Sequence, residues 1–145
     1  MLAGECFCGA VRYAVADAFA YALNCHCSNC RRTTGSAFKP FAGIARDRLA
    51  VAKGGDNLLI YGDEAGHDAH CGRCGSLLYS VVRDGAFVHV AMGTLIDDPS
   101  IRPAARRGSP SPTTCPDMWD TSRNRHPTGK PDGNRRTGGG SGRLS

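Results

Sequence analysis

Three cysteines fall within six residues at Cys25-His26-Cys27-Ser28-Asn29-Cys30, spaced C-x-C-x2-C. Two pairs flank them, Cys6-Phe7-Cys8 near the start and Cys71-Gly72-Arg73-Cys74 downstream, so seven of the eight cysteines lie in three tight clusters. Thiolate sulfur suits zinc, which takes tetrahedral ligands with Zn–S near ~2.3 Å. A closed four-cysteine site needs two knuckles from separate parts of a chain, and Cys6/Cys8 and Cys71/Cys74 supply them. Cys25, Cys27 and Cys30 have no fourth cysteine nearby. Three protein ligands with one open position is the pattern of a catalytic zinc, whose last site takes water or substrate. A thiol at that position is deprotonated and becomes a nucleophile.

Spacing alone does not fix this partition of ligands, and a histidine could close the central site. His26 lies inside the motif, but its neighbours point at the metal, so its own ring should point away. His70 precedes Cys71 and stands nearer the closed site. His89 sits between apolar residues and reads as a surface or packed histidine. A disulfide framework fits poorly. A Cys-x-Cys bridge would be strained, the clustered cysteines are odd in number, and the N-terminal Met1-Leu2-Ala3-Gly4-Glu5 has no basic region followed by an apolar stretch. The expected compartment is the cytoplasm, where thiols stay reduced.

The elements that must position these sulfurs are short and extended. Val11–Val15 alternates as a half-buried strand. Ala18–Leu23 leads into the central cluster as a strand, with an Ala-rich helix as the competing assignment. Ser28-Asn29 can cap a helical turn carrying Cys30–Thr33, which Gly35 ends. Ala37–Ile44 contains Pro40 and reads as an edge strand, where proline is tolerated. Leu49–Ala52 and Leu58–Tyr61 are further strands around a turn at Gly54–Asn57. Ser76–Val82 and Ala86–Met92 form a hairpin turned at Asp84-Gly85. Many short strands joined by turns make an all-β domain. Metal binding would tie the first strand to the last hairpin.

At 145 residues and 41% hydrophobic content, one domain with a modest core is expected. No apolar run is long enough to span a membrane. The formal charge of +5 belongs wholly to residues 104–145, with eight Lys/Arg against three Asp/Glu, while residues 1–103 carry ten of each. The domain therefore offers no basic face for specific nucleic-acid binding. The 104–145 segment, rich in Pro, Gly and Arg, cannot bury enough apolar surface to offset ordering entropy, and disorder is expected there. Its Trp119 and Cys115 belong to no motif.

Several motifs together resemble the glutathione-dependent formaldehyde-activating enzyme family, which includes the centromere protein V type domain. They are Gly4-x-Cys6-x-Cys8-Gly9-x-Val11-x-Tyr13, Cys25-His26-Cys27-Ser28-x-Cys30-Arg31-Arg32-x-Thr34-Gly35-Ser36-Ala37-Phe38, Cys71-Gly72-x-Cys74-Gly75-Ser76, and Val90-Ala91-Met92-Gly93-Thr94-Leu95 continuing to Pro103. The resemblance covers residues 1–103. It implies a tent-like all-β fold stapled by zinc, with two ions per chain. One is a structural zinc on Cys6, Cys8, Cys71 and Cys74, and the other is held by Cys25, Cys27 and Cys30. It also implies a carbon–sulfur lyase of the S-(hydroxymethyl)glutathione synthase type, with glutathione as the thiol. The competing function is a non-catalytic zinc-binding module for a small thiol or a protein partner. Arg31, Arg32 and Lys39 read as solvated surface charge or as partners for the thiol's carboxylates.

Two departures stand out. His70 occupies a position that is usually aromatic in the family. After Arg102-Pro103 the family continues with an Ala-Pro-Trp segment and then Asp-Asp-Leu-Pro, which this chain lacks. Shifting the reading frame by one base lets Ala105–Gly108 encode Ala-Pro-Trp and Pro110–Pro116 encode Ile-Ala-Asp-Asp-Leu-Pro. The tail therefore reads as a frameshift product, with the end of the domain at 1–103 truncated.

Overall fold

The structure is a computed structural model and describes residues 1–103. The expectations for the 104–145 tail lie outside the described residues. In chain order the elements are β1 (Leu2–Glu5), β2 (Arg12–Val15), β3 (Tyr21–Cys25), α1 (Ser28–Thr34), β4 (Lys39–Ala45), β5 (Leu49–Lys53), β6 (Leu58–Gly62), β7 (His67–Cys71), β8 (Leu77–Val82) and β9 (Phe87–Ala91). Every strand pairing is antiparallel. A small sheet runs β1-β2-β5 and a large one β3-β4-β9-β8-β7-β6. The expected all-β architecture therefore stands, with one short helix carrying the central cysteines.

Alternation along the strands sorts side chains to two faces. Leu2, Tyr13 and Val15 of the small sheet join Ile44, Ala69, Val81, Val88 and Val90 of the large sheet in one buried cluster. Each fully buried aliphatic side chain contributes roughly 1.5–3 kcal/mol. The opposite face of the large sheet carries Lys39, Phe41, Gly43, Asp68, Ser80 and His89, residues that alternate with the core positions. Cross-strand register runs Tyr21–Gly43–His89–Ser80–Asp68–Tyr61 in one row. The core face thus holds the fold together, and the other face gathers the polar groups.

Four local expectations change. β4 is an interior strand between β3 and β9, not an edge. Pro40 is tolerated because it pairs with Asn24 of β3, while the ladder to β9 starts at Phe41. Strand β3 lies two or three residues later than expected, where Tyr21 and Leu23 pair with β4, and the competing helix does not form. The cap of α1 is Cys27, whose Sγ accepts the Cys30 N–H at 3.4 Å, rather than Ser28 or Asn29. Strands β1 and β7 were not anticipated: Leu2–Glu5 is held by β2, and His67–Cys71 sits between β6 and β8. Gly35 ends α1 in the left-handed conformation as expected (φ 62°).

Gly43 has a packing role. The Tyr21 ring lies across it, and a Cβ there would stand 2.2 Å from Tyr21 Cζ. That close approach lets Tyr21 Oη reach His89 Nε2 at 2.8 Å. Gly43→Ala is therefore expected to displace Tyr21 and destabilise the domain by ~1–3 kcal/mol through overpacking. Urea unfolding of the variant beside the parent measures the loss, and equal midpoints would refute the packing role.

Candidate metal centres and the adjoining cleft

The four sulfurs of Cys6, Cys8, Cys71 and Cys74 all lie within 4.8 Å of one another. Cys6 and Cys8 occupy the loop between β1 and β2, Cys71 ends β7, and Cys74 precedes β8. Each pair sits on a backbone knuckle: the Gly9 N–H donates to Cys6 O at 3.0 Å, and the Gly75 N–H donates to Cys71 O at 2.8 Å. Gly9 and Gly75 both adopt positive φ (69° and 78°), so the chain curls back behind each sulfur pair. Sγ–Sγ separations are 3.6 Å for Cys6–Cys8 and 3.9 Å for Cys8–Cys71. Four sulfurs held tetrahedrally at the Zn–S distance would stand about 3.8 Å apart, so the donor set fits such an ion. The Ser76 hydroxyl, 3.2 Å from Cys74 Sγ, and then the Ser76 amide draw the Cys74 thiol down to about 5. Thiolate is the form a metal takes.

Cys25, Cys27 and Cys30 form the second group, again with all sulfurs within 4.8 Å. Cys25 ends β3, Cys27 caps α1 and Cys30 lies in its first turn. All three are half-buried. The Cys30 thiol, by hydrogen bonding to Cys25, holds Cys25 down to about 5; burial opposes this and the positive charge of Lys39 assists it. The same bond, with burial, pushes the Cys30 thiol up. Among the described residues no histidine or carboxylate joins this group. The His26 ring instead lies against Phe38, with centroids 5.4 Å apart. The structure thus gathers the cysteines into the two groups expected from the sequence, with four and three donors.

A cleft of about 830 Å³ opens beside Cys27 and Cys30, within the ~300–1,000 Å³ of small-molecule sites. Its floor is the polar face of the large sheet. Lys39 Nζ donates to Ser80 Oγ at 2.6 Å, and Ser80 donates on to Asp68 Oδ1 at 2.5 Å. Thr33 of α1 donates to Asp68 Oδ2 at 3.3 Å and meets His70 Nε2 at 3.3 Å, while His70 Nδ1 meets Gly75 O at 3.1 Å. His70 therefore links the helix to the Cys71/Cys74 knuckle and faces the cleft.

Lys39 corrects the sequence reading. It is 4% exposed, not a solvated surface charge. The sequence signal for it was a lysine inside an otherwise apolar run, Ala37–Ile44. The signal for Asp68 and His70 was their alternation with Ala69 and Cys71. Ser80 had no signal of its own.

Residues 1–107 match the model of the glutathione-dependent formaldehyde-activating enzyme family. The chain belongs to that family. Family membership rests on most of the chain, and the match runs four residues beyond the Pro103 boundary expected from the sequence. A Halomonas elongata protein whose name carries the same family description is 34% identical over 86 residues. That alignment covers 54% of this chain and 55% of the relative, so the chain spans about half the length of the curated relative it matches. The crystal structure of a Rhodobacter sphaeroides protein superposes with a TM-score of 0.57 at 30% identity, covering 70% of this family member and 92% of that chain. Among the described residues no helix is long and apolar enough to cross a membrane.

His89 is packed, as one of its two sequence readings held. Its ring stacks on Phe41 with centroids 4.1 Å apart. Burial first, then the charges of Lys39 and Arg83, lower its pKa to about 4. An unfolded histidine titrates near ~6.5, so the unfolded chain takes up this proton before the folded one. Stability from His89 is therefore present above pH ~6.5 and is lost as pH falls towards about 4. The shift corresponds to at most about 3 kcal/mol, and partial exposure reduces it to on the order of 1–2 kcal/mol. Acid also protonates thiolate ligands, so the contribution is read as a difference. Parent and His89→Gln, unfolded in urea across this window, should converge in stability as the pH drops, and parallel curves would exclude His89 as the source.

Proposed function

We propose that this family member is a zinc-dependent carbon–sulfur lyase of the S-(hydroxymethyl)glutathione synthase type, joining glutathione to formaldehyde. The supporting observation is the three-thiol group on the wall of a cleft, with no fourth protein donor among the described residues. In this reading Cys6, Cys8, Cys71 and Cys74 hold a structural zinc, and Cys25, Cys27 and Cys30 hold a second. When bound by three thiolates, zinc supplies a position at which an incoming thiol gives up its proton.

The chain's own residues do the rest. Helix α1 and strand β3 orient the three sulfurs. The cleft floor presents cationic Lys39 and a hydrogen-bonded set of hydroxyl, carboxylate and imidazole groups to a polar adduct. Arg32 on the cleft rim, hydrogen-bonded to Asn29, is a candidate partner for a glutathione carboxylate. A reducing compartment such as the cytoplasm suits seven unpaired thiols.

The reading is tested by exchange NMR on mixtures of formaldehyde and glutathione. Metal-replete protein should speed interconversion with the hydroxymethyl adduct at least tenfold over buffer. An unchanged rate, with glutathione still bound, would leave a non-catalytic thiol-binding module instead.

A further inference from the structure

The geometry points to Lys39 as the group that receives the oxyanion formed when a thiol adds to an aldehyde in this cleft, with Ser80 and Asp68 as its positioning residues. This rests on reading the cleft as the place where a thiol meets a carbonyl. Three observations carry it.

The Lys39 ammonium is buried, 4% exposed, yet lines the cleft together with Cys27 and Cys30. A buried cation is costly unless it is paired. Among the described residues the hydrogen bond of this ammonium goes to Ser80, a neutral hydroxyl, and no carboxylate lies within ion-pair distance. The nearest negative charge along the hydrogen-bond chain is Asp68, reached through Ser80. Lys39 is also the Cα partner of Cys25 across the β3–β4 ladder, and its charge acts on both Cys25 and Cys30. The cation is therefore fixed on one side by Ser80, has the Phe41 ring centroid 6.0 Å from Nζ, and keeps further N–H donors for an anion in the cleft that Cys27 and Cys30 also line.

The chemistry needs such a group. The thiol sulfur forms a bond to the aldehyde carbon, the carbon–oxygen π pair moves onto oxygen, and the proton given up by the thiol ends on that oxygen. Negative charge builds on oxygen in between. A preplaced donor in a water-poor site stabilises that charge without reorganising. Ser80 and Asp68 also line the cleft, and their part in this scheme is to hold the ammonium in place.

Two stable probes of equal shape test this without turnover. S-(carboxymethyl)glutathione ends in an anionic oxygen close to sulfur, and S-(carbamoylmethyl)glutathione ends in a neutral amide. Calorimetry on metal-replete parent protein should show the carboxymethyl probe binding at least tenfold tighter. Lys39→Met should abolish the preference, Lys39→Arg should retain part of it, and Ser80→Ala should reduce it several-fold. Metal content and thermal midpoint show whether Lys39→Met is folded; if it is not, Lys39→Arg and Ser80→Ala carry the comparison.

A parent with less than twofold preference, or a preference that survives in folded Lys39→Met or is unchanged in Ser80→Ala, overturns the inference. If Lys39 only balances the charge of the thiolates, its removal changes metal retention and leaves the preference intact, which is the same refutation. A parent that discriminates the probes through Lys39 yet does not speed the formaldehyde–glutathione exchange keeps the oxyanion site and refutes the proposed function. Turnover without discrimination does the reverse.

Discussion

Cys71→Ser is expected to leave the protein unable to hold its native fold. Cys71 is fully buried, and its sulfur sits between strands that share no local connection. Cys6 and Cys8 come from the loop after β1, and Cys71 and Cys74 from the end of β7 and the turn that follows. A metal held by all four joins the small sheet to the large one. Such a site contributes on the order of 10–16 kcal/mol, whereas domains of this size are stable by only about 5–15 kcal/mol in total. Losing the site therefore removes about as much free energy as the whole fold retains. The serine would also leave a buried hydroxyl among apolar neighbours, a further penalty of ~1–3 kcal/mol. Circular dichroism should show the variant unfolded or molten at room temperature, and a strong chelator should bring the parent to the same state. A Cys71→Ser variant that melts within a few degrees of the parent would contradict the role given to this cluster.

Cys27→Ser is expected to do the opposite, keeping the fold and losing the chemistry. Cys27 is half-buried and caps a seven-residue helix that adds no buried residue to the core. Its sulfur has two jobs. It caps α1 by accepting the Cys30 N–H, and it belongs to the three-thiol group. Serine is itself a favoured N-cap, so this substitution preserves the cap and removes only the soft donor. Cys27→Ala would lose both, with an added penalty of ~1 kcal/mol from the cap. Exchange of glutathione and formaldehyde should fall back to the buffer rate in Cys27→Ser, with the thermal midpoint close to that of the parent. Equal turnover in the two proteins would remove the three-thiol group from the reaction.

The contrast between these variants follows from what the sequence made legible. Cysteine spacing showed the knuckles, because a knuckle is a local object set by a few residues and a glycine, while which of them share a site was left open until the strands were paired. The β8–β9 hairpin was legible for the same reason. Positions decided by tertiary pairing were not. His67–Cys71 is polar on one face and becomes a strand only between β6 and β8. Pro40 suggested an edge, yet β4 is interior, and its proline is tolerated because the β9 ladder begins one residue later. Lys39 looked like surface charge because nothing adjacent in sequence shows that Ser80, 41 residues on, accepts its hydrogen bond. The cleft floor is assembled from β4, β7, β8 and β9, so its chemistry emerges only once the register is known. The tail and its frameshift reading lie beyond the described residues.

Metal counting combined with cobalt substitution decides whether the two cysteine groups hold separate ions. Two metal ions per folded chain and two cobalt spectra are expected, of which only the one lost in Cys27→Ser changes when glutathione is added. A protein that folds normally without metal would contradict it. So would a Cys25/Cys27/Cys30 site whose spectrum ignores glutathione because protein side chains already complete its shell.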